Sequence, residues 1–176
     1  WSDETGLSSD DQCQACAAGK FSIAGTGQTL IAVCDQLCSA GKWSDETGLS
    51  SDDQCQACAG GRFSMAGAGQ TLIAVCDQLC SAGKFSAETG LTSDKCLACP
   101  AGKWANETGS DACKVCSAGF YSNLTMRTTS CKACPMGRHL EDQGTSADNH
   151  DSVDDCQPCP VLTYNPLTGL GEACYP

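Results

Sequence analysis

The side chains with most chemistry to offer in this chain are its 17 cysteines, close to one residue in ten of 176. They arrive in pairs, Cys-x2-Cys or Cys-x3-Cys, from Cys13/Cys16 through Cys34/Cys38, Cys55/Cys58, Cys76/Cys80, Cys96/Cys99, Cys113/Cys116, Cys131/Cys134 and Cys156/Cys159, with Cys174 following alone. Thiols at this spacing either bind a soft metal as thiolates or close disulfides in an oxidising compartment. Cys-x2-Cys, a gap, then a second pair overlaps the spacing of zinc ribbons. The series runs on without a break, however, and histidine occurs only at His139 and His150. Disulfides are therefore the expected chemistry, with no metal and no cofactor.

Two wirings are open. A serial scheme joins the second cysteine of each pair to the first of the next: Cys16–Cys34, Cys38–Cys55, Cys58–Cys76, Cys80–Cys96, Cys99–Cys113, Cys116–Cys131, Cys134–Cys156 and Cys159–Cys174. It leaves Cys13 over, with a partner expected upstream of Trp1. An interlaced scheme joins first to third and second to fourth in each group of four, and leaves Cys174 instead. Either closes loops whose cross-linking is worth on the order of 3 kcal/mol each in the chain-entropy picture.

No enzyme is expected. There is no Gly-x-Ser-x-Gly elbow and no phosphate-cradling loop, and neither histidine accompanies a nucleophile motif. The acidic stretch 144–156 lacks the spacing of a calcium-binding loop and is expected to be solvated surface. Asn106-Glu107-Thr108 and Asn123-Leu124-Thr125 match the N-glycosylation pattern, so Asn106 and Asn123 are expected to carry N-linked glycan. Asn106 aligns with Asp3, Asp45 and Ala87 of neighbouring repeats, a tolerance expected of a loop tip.

What positions these groups is a repeat. Residues 1–42 and 43–84 differ only at Ala18/Gly60, Lys20/Arg62, Ile23/Met65 and Thr26/Ala68, a period that marks an array. A shorter unit lies within it, Cys-x2-Gly-x-aromatic-Ser. Three residues after the second cysteine of each pair stands glycine, at 19, 41, 61, 83, 102, 119 and 137, until Leu162 breaks the column. Five residues after it stand Phe21, Trp43, Phe63, Phe85, Trp104, Tyr121, His139 and Tyr164. Glycine permits the positive φ of a tight turn, and the turn is expected to lay the aromatic ring across a neighbouring disulfide as a miniature core. Thr29–Val33 and its copy Thr71–Val75 read as short strands, and no stretch has helical periodicity.

Composition agrees. Phe, Trp and Tyr contribute 4, 3 and 3 residues against 19 glycines, too few for one large core. A formal charge of −11 with thinly spread Lys and Arg speaks against nucleic acid as a partner. No run of 18 apolar residues exists, so no membrane span is expected within this segment. The chain opens at Trp1 without an initiating methionine, and any targeting signal or anchor is expected outside it.

The unit is clearest at Cys96-Leu-Ala-Cys99-Pro-Ala-Gly102-Lys-Trp104 and at Cys113-Lys-Val-Cys116-Ser-Ala-Gly119-Phe-Tyr121. These segments resemble ephrin-receptor-like cysteine-rich repeats and the first disulfide loop of tumour-necrosis-factor-receptor modules. The resemblance to the latter implies the serial pairing. It further implies an extracellular, non-enzymatic module, and long arrays of this kind are similar to protist and algal surface proteins, including mastigoneme-like hairs. The expected fold is small and disulfide-rich, mostly irregular with short β-strands, an elongated tandem-repeat rod. Its expected divisions are two near-identical repeats at 1–42 and 43–84, diverged repeats at 85–130, and terminal repeats at 131–176 that include the acidic insertion. The expected role is a glycosylated structural rod at the cell surface or beyond it, in a stalk, coat or filament, with neighbouring repeats or copies of itself as partners up to a homopolymer. The alternative is a receptor ectodomain that binds a protein ligand along the rod, most plausibly over residues 120–155.

Overall fold

A computed structural model describes residues 14–23 and 34–176. Cys13, Trp1, the loop at 2–11 and the segment Thr29–Val33 fall outside the described residues. Those described form two compact units, one reaching to Leu79 and including Glu88–Lys95, the other made of Cys80–Ala87 and Cys96–Pro176. Both are built from one element, a cystine-closed hairpin that we call a rung.

Each rung starts with a four-residue turn. The amide four residues past the second cysteine of a pair donates to the carbonyl one residue past it, as in Lys42 to Ser39 (2.9 Å), Lys103 to Pro100 (3.2 Å) and Phe120 to Ser117 (3.0 Å). Glycine occupies the third position with φ between 72° and 82° at Gly19, Gly41, Gly61, Gly83, Gly102, Gly119 and Gly137, the sign that a type II turn requires there. Leu162 keeps the same turn in the last rung with φ 71°, and Thr163 still donates to Pro160.

The turn launches a two-residue strand that contains the aromatic residue, and this pairs antiparallel with the residues just before the next pair's second cysteine. In chain order the strands are β1 (Lys20–Phe21), β2 (Gln36–Leu37), β3 (Lys42–Trp43), β4 (Gln56–Ala57), β5 (Arg62–Phe63), β6 (Gln78–Leu79), β7 (Lys84–Phe85), β8 (Leu97–Ala98), β9 (Lys103–Trp104), β10 (Lys114–Val115), β11 (Phe120–Tyr121), β12 (Lys132–Ala133), β13 (Arg138–His139) and β14 (Gln157–Pro158). Each odd strand pairs with the even strand that follows it, in register such as Lys42 with Ala57 and Trp43 with Gln56. A disulfide closes every loop, and the bridges are Cys16–Cys34, Cys38–Cys55, Cys58–Cys76, Cys80–Cys96, Cys99–Cys113, Cys116–Cys131, Cys134–Cys156 and Cys159–Cys174. Sequence separation varies from 14 to 22, yet the Cα–Cα distance stays between 5.4 and 5.8 Å.

The segment Thr71–Val75 is not a strand. Ile73–Val75 forms a 3-10 turn, closed by the Cys76 amide on the Ile73 carbonyl at 2.9 Å. The β-branched residues find no partner strand, and Leu72 and Ile73 are 61% and 66% exposed, so local propensity yields to the reach of the Cys58–Cys76 bridge. The only elements longer than two residues among those described are such 3-10 turns, at Asp52–Gln54, Ile73–Val75, Ala147–Asn149 and Val153–Asp155. No helix among the described residues is long and apolar enough to cross a membrane.

Candidate functional site

With a fold of repeated rungs, the chemistry lies where one rung meets the next. Three backbone features recur at these junctions. The carbonyl of a rung's second cysteine accepts an amide from the following rung's loop: Gly48 to Cys16, Gly69 to Cys38, Gly90 to Cys58, Gly109 to Cys80, Met126 to Cys99 and Gly169 to Cys134, all between 2.7 and 2.9 Å. The residue after the aromatic donates to the next loop residue, as in Ser22 to Leu49, Ser44 to Gln70 and Ser64 to Leu91. In the second unit the turn glycine also donates across the junction, from Gly83 to Ala105 and from Gly102 to Ser122, both at 2.8 Å.

The side chains fill what the backbone frames. Phe21 packs with Leu49 on the Cys38–Cys55 bridge, and Tyr121 packs with Leu140 on Cys134–Cys156. The ring of one rung thus covers the disulfide of the next, a contact of aromatic face or edge with sulfur worth about 0.3–1.5 kcal/mol beyond the area buried. Trp104 also carries the Lys114 ammonium 5.3 Å from its ring centre.

The column glycine has a second duty that its turn does not reveal. A methyl group on Gly41 would enter the backbone of Gly90, one on Gly83 that of Met126, one on Gly102 that of Ala147 and one on Gly119 that of Gly169. Each of these loops belongs to the rung after next, so the column is kept clear for a backbone that passes over it.

Two further columns have roles that the sequence reading did not assign. The serine of the repeat is buried at Ser44, Ser64, Ser86 and Ser122, and its hydroxyl accepts the amide two residues on at Glu46 and Ala66. The residue between glycine and aromatic is basic at 20, 42, 62, 84, 103 and 138. Where its bond is defined, it ties the strand to its own loop: Lys42 to Asp52 at 2.6 Å, Arg62 to the Cys76 carbonyl and Arg138 to the Cys156 carbonyl. Burial pushes the Asp52 carboxyl up, but Lys42 and the Ser39 bonds outweigh it, and the net direction is down. The offset Cys+4 would have exposed this column had charge been aligned as glycine was.

Both histidines have partners that the sequence did not suggest. His150 is fully buried within the acidic insertion, so that segment is not merely solvated surface. Its Nδ1 lies 2.7 Å from the Phe120 carbonyl and its Nε2 2.8 Å from Asp142 Oδ2. Both partners are acceptors, and a ring donating from both nitrogens satisfies the pair in full. Asp142 also accepts the Gly144 and Thr145 amides and the Thr145 hydroxyl. The Thr145 hydroxyl, ahead of His150, holds the Asp142 carboxyl well below the usual carboxylate range. His139 stands in the aromatic column with Nδ1 3.2 Å from Cys174 Sγ and Nε2 3.4 Å from Glu141. His139, Cys159 and Cys174 are the one cluster of three metal-ligating groups among the described residues, and its two sulfurs are joined to each other.

Asn106 and Asn123 are both exposed, each two residues beyond the ring of its rung. Asn165 is buried instead, donating to the Arg138 carbonyl at 2.6 Å and accepting the Leu167 amide. A groove of about 640 Å³ in the first unit is lined by Trp43, Gln56, Arg62, Ile73 and Asp77, among others. Its cysteines are bridged, and it offers no free nucleophile.

Residues 102–151 match the family model described as tyrosine-protein kinase ephrin type A/B receptor-like. The match begins at a column glycine and takes in the rungs closed by Cys116–Cys131 and much of Cys134–Cys156. The bridges on either side repeat the same geometry. Residues 102–151 are ephrin-receptor-like, and the repeated disulfides around them support cysteine-rich modules of that kind. No curated protein matches it. Ephrin-receptor-like modules form a non-catalytic, extracellular family, and eight disulfides among the described residues suit that setting.

Proposed function

We propose that this is an extracellular structural protein whose ephrin-receptor-like rungs make a covalently shortened tether within a surface stalk, coat or filament such as a mastigoneme-like hair, decorated with N-linked glycan at Asn106 and Asn123. The observation that carries this is the order of the bridges. Each begins three or four residues after the previous one ends, at Cys55/Cys58 or Cys76/Cys80, so every long loop is bypassed by sulfur. Between Cys16 and Cys174 the shortest covalent path extends to about 120 Å, against about 550 Å for the same residues unbridged. Tension applied along the chain passes through the bridges and leaves the loops, with their packing, unstretched.

Single-molecule pulling tests this. The oxidised chain should reach its limit near the shorter length. With a thiol reductant present, each bridge opened should release one loop, about 55–60 Å for Cys58–Cys76. Extension of the oxidised chain far beyond the short length would overturn the reading. Imaging of native material separates the two roles: regular fibres built from this chain favour the structural one, and dispersed monomers holding one soluble partner favour a receptor ectodomain.

A further inference from the structure

The aromatic column has one exception whose chemistry differs in kind. In the rungs where the contact is defined, Phe21 and Tyr121 cover the next rung's cystine with an all-carbon ring. At the same place in the next-to-last rung stands an imidazole. His139 is largely covered, its side chain 15% exposed, and Nδ1 rests 3.2 Å from Cys174 Sγ. A bridged sulfur has no hydrogen to give, so this contact is attractive when Nδ1 carries one. At the ring's other nitrogen the Glu141 carboxylate, 3.4 Å from Nε2, sets a negative charge beside the imidazole. Gln157 is the residue across the hairpin, and it brings no charge.

The bridge beneath also differs in its cover. In seven of the eight bridges among the described residues at least one cysteine is buried; in Cys159–Cys174 neither is. Within the described residues Val161 and Leu162, which follow Cys159, are 91% and 93% exposed. Thiol–disulfide exchange needs an approach to one sulfur and a stabilised departure of the other. This rung pairs a bridge in which neither cysteine is buried with a ring nitrogen at one of its sulfurs, Cys174.

We propose that Cys159–Cys174 is an exchangeable disulfide, opened by an external thiolate that attacks Cys159 while His139 acts as proton donor to the departing Cys174. The thiolate sulfur bonds to Cys159 Sγ and the Cys159–Cys174 bond breaks. Its electron pair passes to Cys174 Sγ, which takes the proton from His139 Nδ1. The products are a mixed disulfide on Cys159 and a thiol on Cys174, so the incoming thiol is oxidised by the bond that it opens. Attack by the Cys174 thiolate on the mixed disulfide restores the bridge. While the bridge is open, the Tyr164–Tyr175 backbone pair, with bonds of 2.9 and 3.0 Å, holds the last residues in place. The co-reactant is a small thiol or a protein cysteine, and the latter would leave this chain covalently joined to its partner.

The experiment uses the full chain with limiting glutathione, timed alkylation and peptide mass spectrometry, the seven other bridges serving as internal references. Cys159 and Cys174 should become labelled at least about tenfold sooner than any other pair, with the glutathione adduct on Cys159. His139→Phe restores the residue type of the column. It should slow opening of this bridge by about a hundredfold, the lower range of a positioned acid, and flatten its dependence on pH while the other seven rates hold. Bridge opening no faster than that of Cys116–Cys131 would overturn the proposal. So would a His139→Phe chain with unchanged rate and pH profile, because mere openness of the last rung would then account for the reactivity.

Discussion

Replacing Gly102 by alanine tests whether rungs are locked by backbone passing over the glycine column. The residue has φ +76°, and an alanine methyl would lie 2.9 Å from the Ala147 carbonyl carbon and 3.0 Å from its Cα, with the carbonyl oxygen closer still. Gly137 provides the control, because it has the same φ of +76° and nothing within 4 Å of the added methyl. Both variants pay about 1–2 kcal/mol for the left-handed backbone and recover about 0.4–1 kcal/mol through a stiffer unfolded chain. Gly137→Ala should therefore cost about 1 kcal/mol. Gly102→Ala adds forced displacement of a packed backbone, typically about 1–3 kcal/mol, and should cost about 2–4 kcal/mol. Native-state hydrogen exchange with the disulfides intact reads this locally. The Ser122 amide, which donates to His150 at 2.8 Å, should exchange about thirtyfold to nearly a thousandfold faster in Gly102→Ala. The Gly137 amide, bonded to Asn165, should change by less than about tenfold in its own variant. Equal costs at the two sites would refute the reasoning and leave the turn as the column's sole purpose.

Other expectations follow from the same geometry. Asp142 has a folded pKa below its unfolded value, so its contribution is complete above the ordinary carboxylate range and is lost as pH falls through and below about 4. Exchange protection at Ser122 should decline over that acid range, and Asp142→Asn should remove the pH dependence. Leu162→Gly relieves a left-handed residue that is 93% exposed and buries nothing, and should stabilise the last rung by up to about 1 kcal/mol in the exchange of the Thr163 amide. Secreted from a glycosylating host, the chain should lose one glycan's mass in Asn106→Gln and another in Asn123→Gln, read by mass spectrometry before and after glycosidase. Thiol reductant should unfold the chain by tryptophan fluorescence while a strong chelator leaves the signal unchanged; the opposite result would require a metalloprotein.

The rungs were legible because their determinants sit at fixed short offsets. A glycine three residues and a ring five residues after a cysteine describe one turn and one strand, and both are read without knowing what lies beyond. Pairing was harder, since spacing alone admitted two wirings; the structure has the serial one, in which each hairpin brings its two cysteines to a Cα separation of under 6 Å. Three features lay out of reach. Thr71–Val75 has the composition of a strand but no neighbour to pair with. The obstruction above Gly102 comes from Ala147, in the rung after next. The partner of His150 Nδ1 is the carbonyl of Phe120, thirty residues away, and nothing local to either residue announces it.

That histidine explains how one rung tolerates the longest loop. In the regular junctions a loop glycine meets the cysteine carbonyl of the preceding rung and the very next residue accepts from the serine amide, as Gly48 and Leu49 do or Gly69 and Gln70. In the rung closed by Cys134–Cys156, Gly144 still lies against the Cys116 carbonyl, but the acceptor for Ser122 is His150. Residues 145–149 are thus inserted between two positions that are elsewhere adjacent. Extra chain at a junction would normally let the loop wander, because each added residue carries about 1–2 kcal/mol of backbone entropy to be suppressed. The insertion supplies its own restraint: the Ala147–Asn149 turn takes up length, and the His150 ring is bonded at one end to Asp142 before the insertion and at the other to the strand below. The acidic segment is held at the same two points as the regular loops, and a polar clasp spans the insertion between two positions that are adjacent in the shorter rungs.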